Sequence, residues 1–259
     1  MRITIITATY NSAATVRDTM ESVLRQTHRD VDYIVVDGAS TDSTMDIVRQ
    51  YEPKFEGRLR WISEPDKGIY DAMNKGLAMA QGDVVGLLNS DDFYSSDDIL
   101  AAVNAAFEED MELDAVYGDV HYVKAENVEV PARYYSSRMF RRSWMRFGFM
   151  PAHPSFYCKR KCYEKYGGFD TSFRVAADFE NLLRLIFVNR IRTRYINRDF
   201  VTMRTGGASS SGLKSHKQIM RDHLRGLKKN GIRSNILFLS SRYIYKIGEV
   251  IWSKLRRSR

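Results

Sequence analysis

The chain has 259 residues, 44% of them hydrophobic, and a formal net charge of +8. That apolar fraction supplies a full core and excludes a disordered chain, and the length suits one large α/β domain or two small ones. From Gly212 to Arg259, 13 Lys or Arg face only Asp222 and Glu249, so a mildly acidic body precedes a tail suited to a polyanionic surface.

The opening run, "MRITIITATYN", is too brief and too polar for a secretory signal, although its "ITIIT" reads as a buried strand. Val16, Met20, Val23 and Leu24 then recur at helical spacing. "VDYIVVD" is a second strand, and Ile47, Val48 and Tyr51 mark a second helix. "LRWIS" is a third strand, followed by a helix with Ile69, Met73 and Leu77 on one face. "DVVGLLN" is the fourth strand and "DAVYGD" the fifth. This alternation predicts an α/β fold with a mostly parallel sheet flanked by helices. Past residue 118 the pattern loosens. "DVHYVKAENVEV" reads as a hairpin turning near Glu126 and Asn127, and the aromatic, basic stretch 134–157 as loop and short helix. Cys158 and Cys162, with no other Cys and no nearby His pair, read as free cytosolic thiols that could stack on one helix. "VAADFENLLRLIFVN" restores a helix whose face is Phe179, Leu182, Leu183, Ile186 and Phe187. "TGGASSSG" then separates body from tail. No internal repeat is visible, and no window of about 18 apolar residues marks a membrane span.

In parallel sheets the ligand sits beyond the carboxyl ends of the strands. That rule singles out "TATYN", "DGASTDST", "SEPDKGIYD" and "NSDD", all polar and three of them acidic. Asp91 and Asp92 are adjacent carboxylates that repel each other and cost free energy to desolvate, so they fit Mg²⁺ or Mn²⁺ carrying a nucleotide diphosphate. The alternative is that they cap a helix beginning near Ser95 or Ser96. Convergence of the other loops favours the cation. Asp37 suits a ribose hydroxyl or a base N–H, or else a turn carboxylate bonding its own backbone. Asp66 and Asp71 flank Lys67 and Gly68; either acid fits an exposed loop position, while Lys67 suits a phosphate. Asp178 is either an N-cap or a carboxylate placed to take a proton from a hydroxyl. The P-loop and dinucleotide-binding glycine patterns are absent.

In order along the chain, "TATYN", "IVVDGASTDST", "EPDKGIYDAMNKGLAMAQGD", "LLNSDD", "HPSFYCKRKCYEKYGGFD" and "AADFENLLRL" resemble the family-2 glycosyltransferases, which are inverting enzymes with a GT-A (Rossmann-like) fold. The "DKGIYDAMNKG" and "NSDD" forms look most like bacterial enzymes of surface-polysaccharide biosynthesis. The resemblance implies donor-binding roles for Thr7, Tyr10, Asp37, Asp66, Lys67 and Asp91. It further implies metal ligation by Asp92 with Asp91, Asp178 as catalytic base, and His153 on the acceptor side, with a purely structural histidine as the alternative. Two departures stand out: Asn89 where the family often has Asp, and Ala177 where it often has Glu. The implied reaction is metal-dependent inverting transfer of a sugar from a nucleotide-sugar donor to a hydroxyl of a lipid-linked saccharide acceptor.

These readings divide the chain into a catalytic domain, 1–211, with a nucleotide-sugar half (1–118) and an acceptor half (119–211), and a helical basic tail, 212–259. The acceptor pocket is expected within 134–157. In "ILFLSSRYIYKIGEVIWSKLRRSR" apolar residues alternate with Lys and Arg, as in a helix lying on an anionic membrane, where each cation near the surface contributes about 1 kcal/mol. Packing on the body is the alternative. RNA binding lacks a recognisable module, so no nucleic acid is expected. The chain is placed in the cytoplasm, or peripherally on the inner face of the cell membrane. Rival readings are a nucleotidyltransferase, whose Gly- and Arg/Lys-rich first loop "TATYN" does not supply, and a non-catalytic, membrane-associated subunit that binds nucleotide-sugar. A glycosidase needs two carboxylates flanking a glycosidic bond and no phosphate-binding metal.

Overall fold

The β-branched run near the N-terminus becomes strand β1 (Ile3–Thr9), and every residue of it is buried. β2 (Val31–Asp37) lies parallel beside it and is equally buried, while β3 (Leu59–Ser63) and β4 (Val84–Leu87) complete a parallel unit in the order β3–β2–β1–β4. Strands buried on both faces need a helical layer on each side. Helices α1 (Val16–Leu24), α2 (Thr44–Tyr51) and α3 (Ile69–Met79) supply it. The structure is a computed structural model that describes residues 1–206 and 212–241.

Beyond β4 the pairing turns mixed. β5 (Phe93–Tyr94) and α4 (Ile99–Glu109) are followed by a hairpin of β6 (Ala115–Lys124) and β7 (Asn127–Tyr135). The expected fifth strand and the first arm of the hairpin are therefore one strand. β8 (Phe156–Lys159), α5 (Arg160–Tyr166), α6 (Ala177–Leu182) and β9 (Thr193–Arg204) come next. The sheet continues from β4 through β8, β6 and β9 to β5, with β8 antiparallel to both neighbours and β9 parallel to β6. One core packs between the sheet and α1, α2 and α4, around Val16, Met20, Val48, Val103 and Phe107. The other lies across the sheet around Ile6, Val36, Met73, Phe156, Phe179 and Leu183.

Helix α6 continues into a π-helical stretch, Leu183–Val188; Phe179, Leu182, Leu183 and Ile186 of the predicted face are buried and Phe187 is half-buried. Cys158 and Cys162 are buried and unbridged, but one lies on a strand and the other on a helix, so they do not share a helical face. Helix α7 (Gly212–Lys229) lies against α6. There the His223 ring stacks on Phe179 at 3.9 Å, Lys229 pairs with Asp170 at 2.6 Å, and Leu227 and Leu239 enter the second core. As far as residue 241, then, the basic tail packs on the body. The membrane-helix expectation for residues 242–259 lies outside the described residues, as does most of the "TGGASSSG" loop. No helix among the described residues is long and apolar enough to cross a membrane.

Candidate active site

The sheet register sets Thr9 against Asp37 and Asp37 against Ser63, so the first three strand-end loops leave the sheet at one level. Asp37 is fully buried. Its carboxylate accepts the Ser40 N–H at 2.9 Å, the Ser63 hydroxyl at 2.6 Å and the Ser40 hydroxyl. The turn role weighed from sequence is therefore present. Above it, a Cβ on Gly38 would stand 2.5 Å from an Asp66 carboxylate oxygen and 3.4 Å from the Tyr10 ring. Bare backbone at Gly38 is what leaves room for the Asp66 carboxylate so close to this loop. The other Asp66 oxygen accepts the Gly68 N–H at 2.7 Å, and Gly68 has φ +109°, a conformation that glycine adopts without steric cost. Lys67 is exposed beside them, its N–H on Asp71 at 3.0 Å, and Tyr10 is 62% exposed. Thr7 stands apart, because its hydroxyl accepts from Tyr33 at 3.2 Å within the core. The hydroxyl of Thr9 is buried with no hydrogen-bond partner among the described residues.

Neither acid of "NSDD" caps a helix, because β5 intervenes and α4 starts only at Ile99, with Asp98 at its N-cap. Asp92 is 1% exposed. Burial pushes its carboxyl well above the usual range and the Asp91 charge pushes further, against the Asn89 amide at 2.9 Å and the backbone N–H and charge of Arg204. Asp91 is also raised by burial, and Arg204 again opposes. Asn89, a lost acid by family comparison, thus serves as a donor to Asp92. Arg204 answers the pair from the end of β9: Nη1 donates to the Asp91 carbonyl at 2.6 Å, Nη2 pairs with Asp18, and the guanidinium lies 5.1 Å from the centre of the Phe93 ring. Among the described residues no group of three or more His, Cys, Asp or Glu could hold a metal. Asp91 and Asp92 are a pair of carboxylates rather than such a group, and a pair of this kind suits a hard divalent cation that keeps water and substrate phosphate in its shell. It does not fit a closed structural site.

Asp178 sits in the first turn of α6, and Ala176 rather than Asp178 is the N-cap. One Asp178 oxygen accepts the Phe179 N–H at 2.8 Å and lies 3.4 Å from the Tyr70 hydroxyl, which also donates to the Val175 carbonyl. Burial raises the Asp178 carboxyl above the usual range, with the nearby His153 the main opposing influence. Burial likewise lowers the His153 imidazole. The His153 Nε2 is buried with no partner among the described residues, and its ring meets Phe169 edge-on at 5.7 Å. Two motif residues hold this wall in place. Asn74 makes a reciprocal pair of 2.8 Å bonds with the Phe169 backbone, and Asn181 donates to the Gly168 carbonyl at 3.0 Å. Burial raises the Tyr122 hydroxyl on β6, the Arg133 charge opposes, and the charges of Asp92 and Asp178 both add to the rise, so Tyr122 lies within electrostatic reach of both acids. The Arg133 guanidinium lies 5.4 Å from the centre of that ring. Tyr122 and Arg204 carry no motif in the sequence; Tyr70 lies inside "DKGIYD", where the acids and Lys67 draw the eye and a tyrosine carries no signal of its own.

The family model for glycosyl transferase family 2 matches residues 4–175, which include Asp37, Asp66, Asp91, Asp92 and His153 and stop three residues short of Asp178. The chain is 32% identical over 194 residues to a PGL/p-HBAD biosynthesis glycosyltransferase of Mycobacterium bovis (strain BCG / Pasteur 1173P2), covering 74% of this chain and 73% of that one. An uncharacterized glycosyltransferase of Mycobacterium tuberculosis (strain CDC 1551 / Oshkosh) is 30% identical over 258 residues, 98% of this chain and 95% of its own. Among solved structures, S. aureus TarS 1-349 in complex with UDP-GlcNAc superposes with a TM-score of 0.70 at 20% identity, over 88% of this chain and 66% of that one. The mannosyltransferase PcManGT from Pyrobaculum calidifontis, in complex with GDP-Man and Mn²⁺, gives 0.66 at 22% identity over 86% and 64%. The mixed sheet with acid-bearing loops at its parallel end is thus the GT-A fold, and the chain is a glycosyltransferase that belongs to glycosyl transferase family 2.

Proposed function

We propose that this enzyme transfers a sugar, with inversion, from a nucleoside-diphosphate sugar to a hydroxyl of a lipid-linked saccharide, in cell-surface polysaccharide assembly on the cytoplasmic side of the membrane. The observation that carries the reading is the shared sheet end: the loops bearing Asp37, Asp66 and the Asp91–Asp92 pair all leave the carboxyl ends of neighbouring parallel strands, where such sheets hold their ligands. Tyr10, Gly38, Asp66 and Lys67 form the donor edge, with Asp37 bracing the loop beneath and Thr7 supporting from the core. Asp91 and Asp92 would hold Mg²⁺ or Mn²⁺, which when bound neutralises charge gathering on the β-phosphate.

Asp178 takes the proton of the acceptor hydroxyl. That oxygen bonds to the anomeric carbon as the bond from carbon to the diphosphate oxygen breaks, and the nucleoside diphosphate departs on the opposite face. Raised basicity suits Asp178 to this work, since an ordinary carboxylate is a poor base for a hydroxyl at neutral pH. The buried, unpartnered His153 Nε2 suits a hydrogen bond to the acceptor. Solved relatives in fold bound to UDP-GlcNAc and to GDP-Man with Mn²⁺ support the donor class.

A thermal-shift panel of UDP, GDP, CMP and dTDP, each with Mn²⁺ or with EDTA, tests this reading. A ligand at about 100 times its Kd adds about 2.7 kcal/mol. For a chain of this size that is a rise of roughly 5–10 °C. One nucleotide is expected to give that rise only with metal, and no rise with any of them would refute the reading.

A further inference from the structure

Away from the carboxylates, the short helical turn Arg142–Phe147 and the end of the π-helical stretch border a cleft of about 410 Å³, lined by Arg141, Arg142, Ser143, Arg146, Phe187 and Arg190. Among the described residues, none of these four arginines forms an ion pair with a carboxylate. The segment after α7 forms the adjoining wall. Arg146 donates to the Arg233 carbonyl at 3.5 Å, Ser234 donates to the Arg146 carbonyl at 2.8 Å, and the Phe147 and Phe238 rings lie 5.3 Å apart. Beside this cationic cleft the chain exposes Ile236 (60%), Leu237 (79%), Phe238 (41%) and Val188 (43%).

Like charges without counter-charges and apolar side chains held in water are each unfavourable, and a single occupant relieves both. That occupant must be anionic at its surface and apolar just beneath. Residues 242–259 carry six Lys or Arg against Glu249 alone, so their charge adds to that of the arginines and does not neutralise it. We propose that this face docks the enzyme on an anionic bilayer, with lipid phosphates in the arginine cleft and Leu237 and its neighbours among the headgroups. Asp178 and Val188 lie near opposite ends of one continuous helix. Ten residues separate them, and with an α-helical rise of about 1.5 Å in the first half and a smaller π-helical rise in the second they hold the base roughly 10–15 Å from the lipid-facing end. The proposal deepens the lipid-linked-acceptor reading and takes its purpose from it.

Its test is co-sedimentation of the full chain with vesicles of phosphatidylcholine, with or without phosphatidylglycerol, at low and high salt. The parent is compared with an Arg142→Glu/Arg190→Glu variant, both residues lining the cleft, and with Leu237→Asp. The parent is expected on anionic vesicles only, with binding that weakens in salt. Charge reversal should weaken it by about tenfold or more, and Leu237→Asp by several-fold. The nucleotide- and metal-dependent thermal shift, run on the same samples, should be the same in parent and variants. A missing shift in the parent would count against the donor reading and leave the vesicle result to stand by itself. The docking proposal falls if the parent ignores anionic vesicles, or if the charge-reversed variant binds them within about twofold of the parent. It also falls if single-stranded RNA binds the parent more tightly than vesicles do and loses affinity with the same substitutions.

Discussion

Replacing Arg204 with Met removes a cation while keeping most of the side-chain volume. The Arg204 side chain is 9% exposed and serves three partners: the Asp91 carbonyl, the Asp18 carboxylate and the face of Phe93. Removing one member of a buried ion pair costs about 3–5 kcal/mol, but Asp18 is 51% exposed and solvent takes over much of that pairing. The lost donor to the Asp91 carbonyl adds about 1 kcal/mol. A net loss of about 2–3 kcal/mol corresponds to a fall in Tm of roughly 5–10 °C. The assay is the Tm of parent and variant in EDTA and in Mn²⁺. If Arg204 is the charge that answers Asp91 and Asp92, a divalent cation should replace it and restore much of the loss, and Arg204→Lys should fall between the two because it keeps the charge without the fork. The reasoning is refuted if the Tm in EDTA moves by less than about 2 °C, or if the loss is the same with and without Mn²⁺.

Two further outcomes follow from the geometry. Gly38→Ala should weaken nucleotide binding by about fivefold, near 1 kcal/mol, with little change in Tm, because its Cβ would stand 2.5 Å from Asp66 while the core is untouched; calorimetric titration checks it. The acid limb of kcat should have its midpoint above the ordinary carboxylate range, since burial raises Asp178 and protonation idles it. Stability runs the other way: a carboxyl raised on folding holds its proton more tightly in the native state, so acidification through that window stabilises. Asp178→Asn should therefore raise Tm at neutral pH, and the gain should vanish as pH falls to the usual carboxylate range.

The parallel half of the fold was legible because β1, β2 and β4 are short runs rich in β-branched residues, and each of the four strands ends abruptly in a polar loop, acidic in three cases. Strands β8 and β9 were not. "FYCK" is short, and "TRYINRDFVTMR" mixes charged and apolar residues along a half-buried strand, so neither carries a buried run or a clean alternation. The start of α4 was misplaced because Ser95 and Ser96 imitate caps, while their hydroxyls bond to Asp199 and Asp98. The site divides along the same line. Asp91, Asp92 and Asp178 stand in motifs and were named. Arg204 and Tyr122 act on them from chain positions 30 to 113 residues away, and no local pattern marks such a charge or ring. Asn89 was read by what it lacks, and only the fold showed its amide on Asp92.

The central claim is that Asp178 is the base in a cleft whose donor side is built separately. Sugar transfer and donor binding, measured together in Asp178→Asn, test it most directly, with the donor named by the nucleotide panel and radiolabelled transfer to the extracted lipid-linked acceptor fraction. The account predicts donor affinity within about twofold of the parent and transfer reduced by about 10²–10⁴-fold, the range for a lost general base. Transfer at the parent's rate with donor still bound would contradict it.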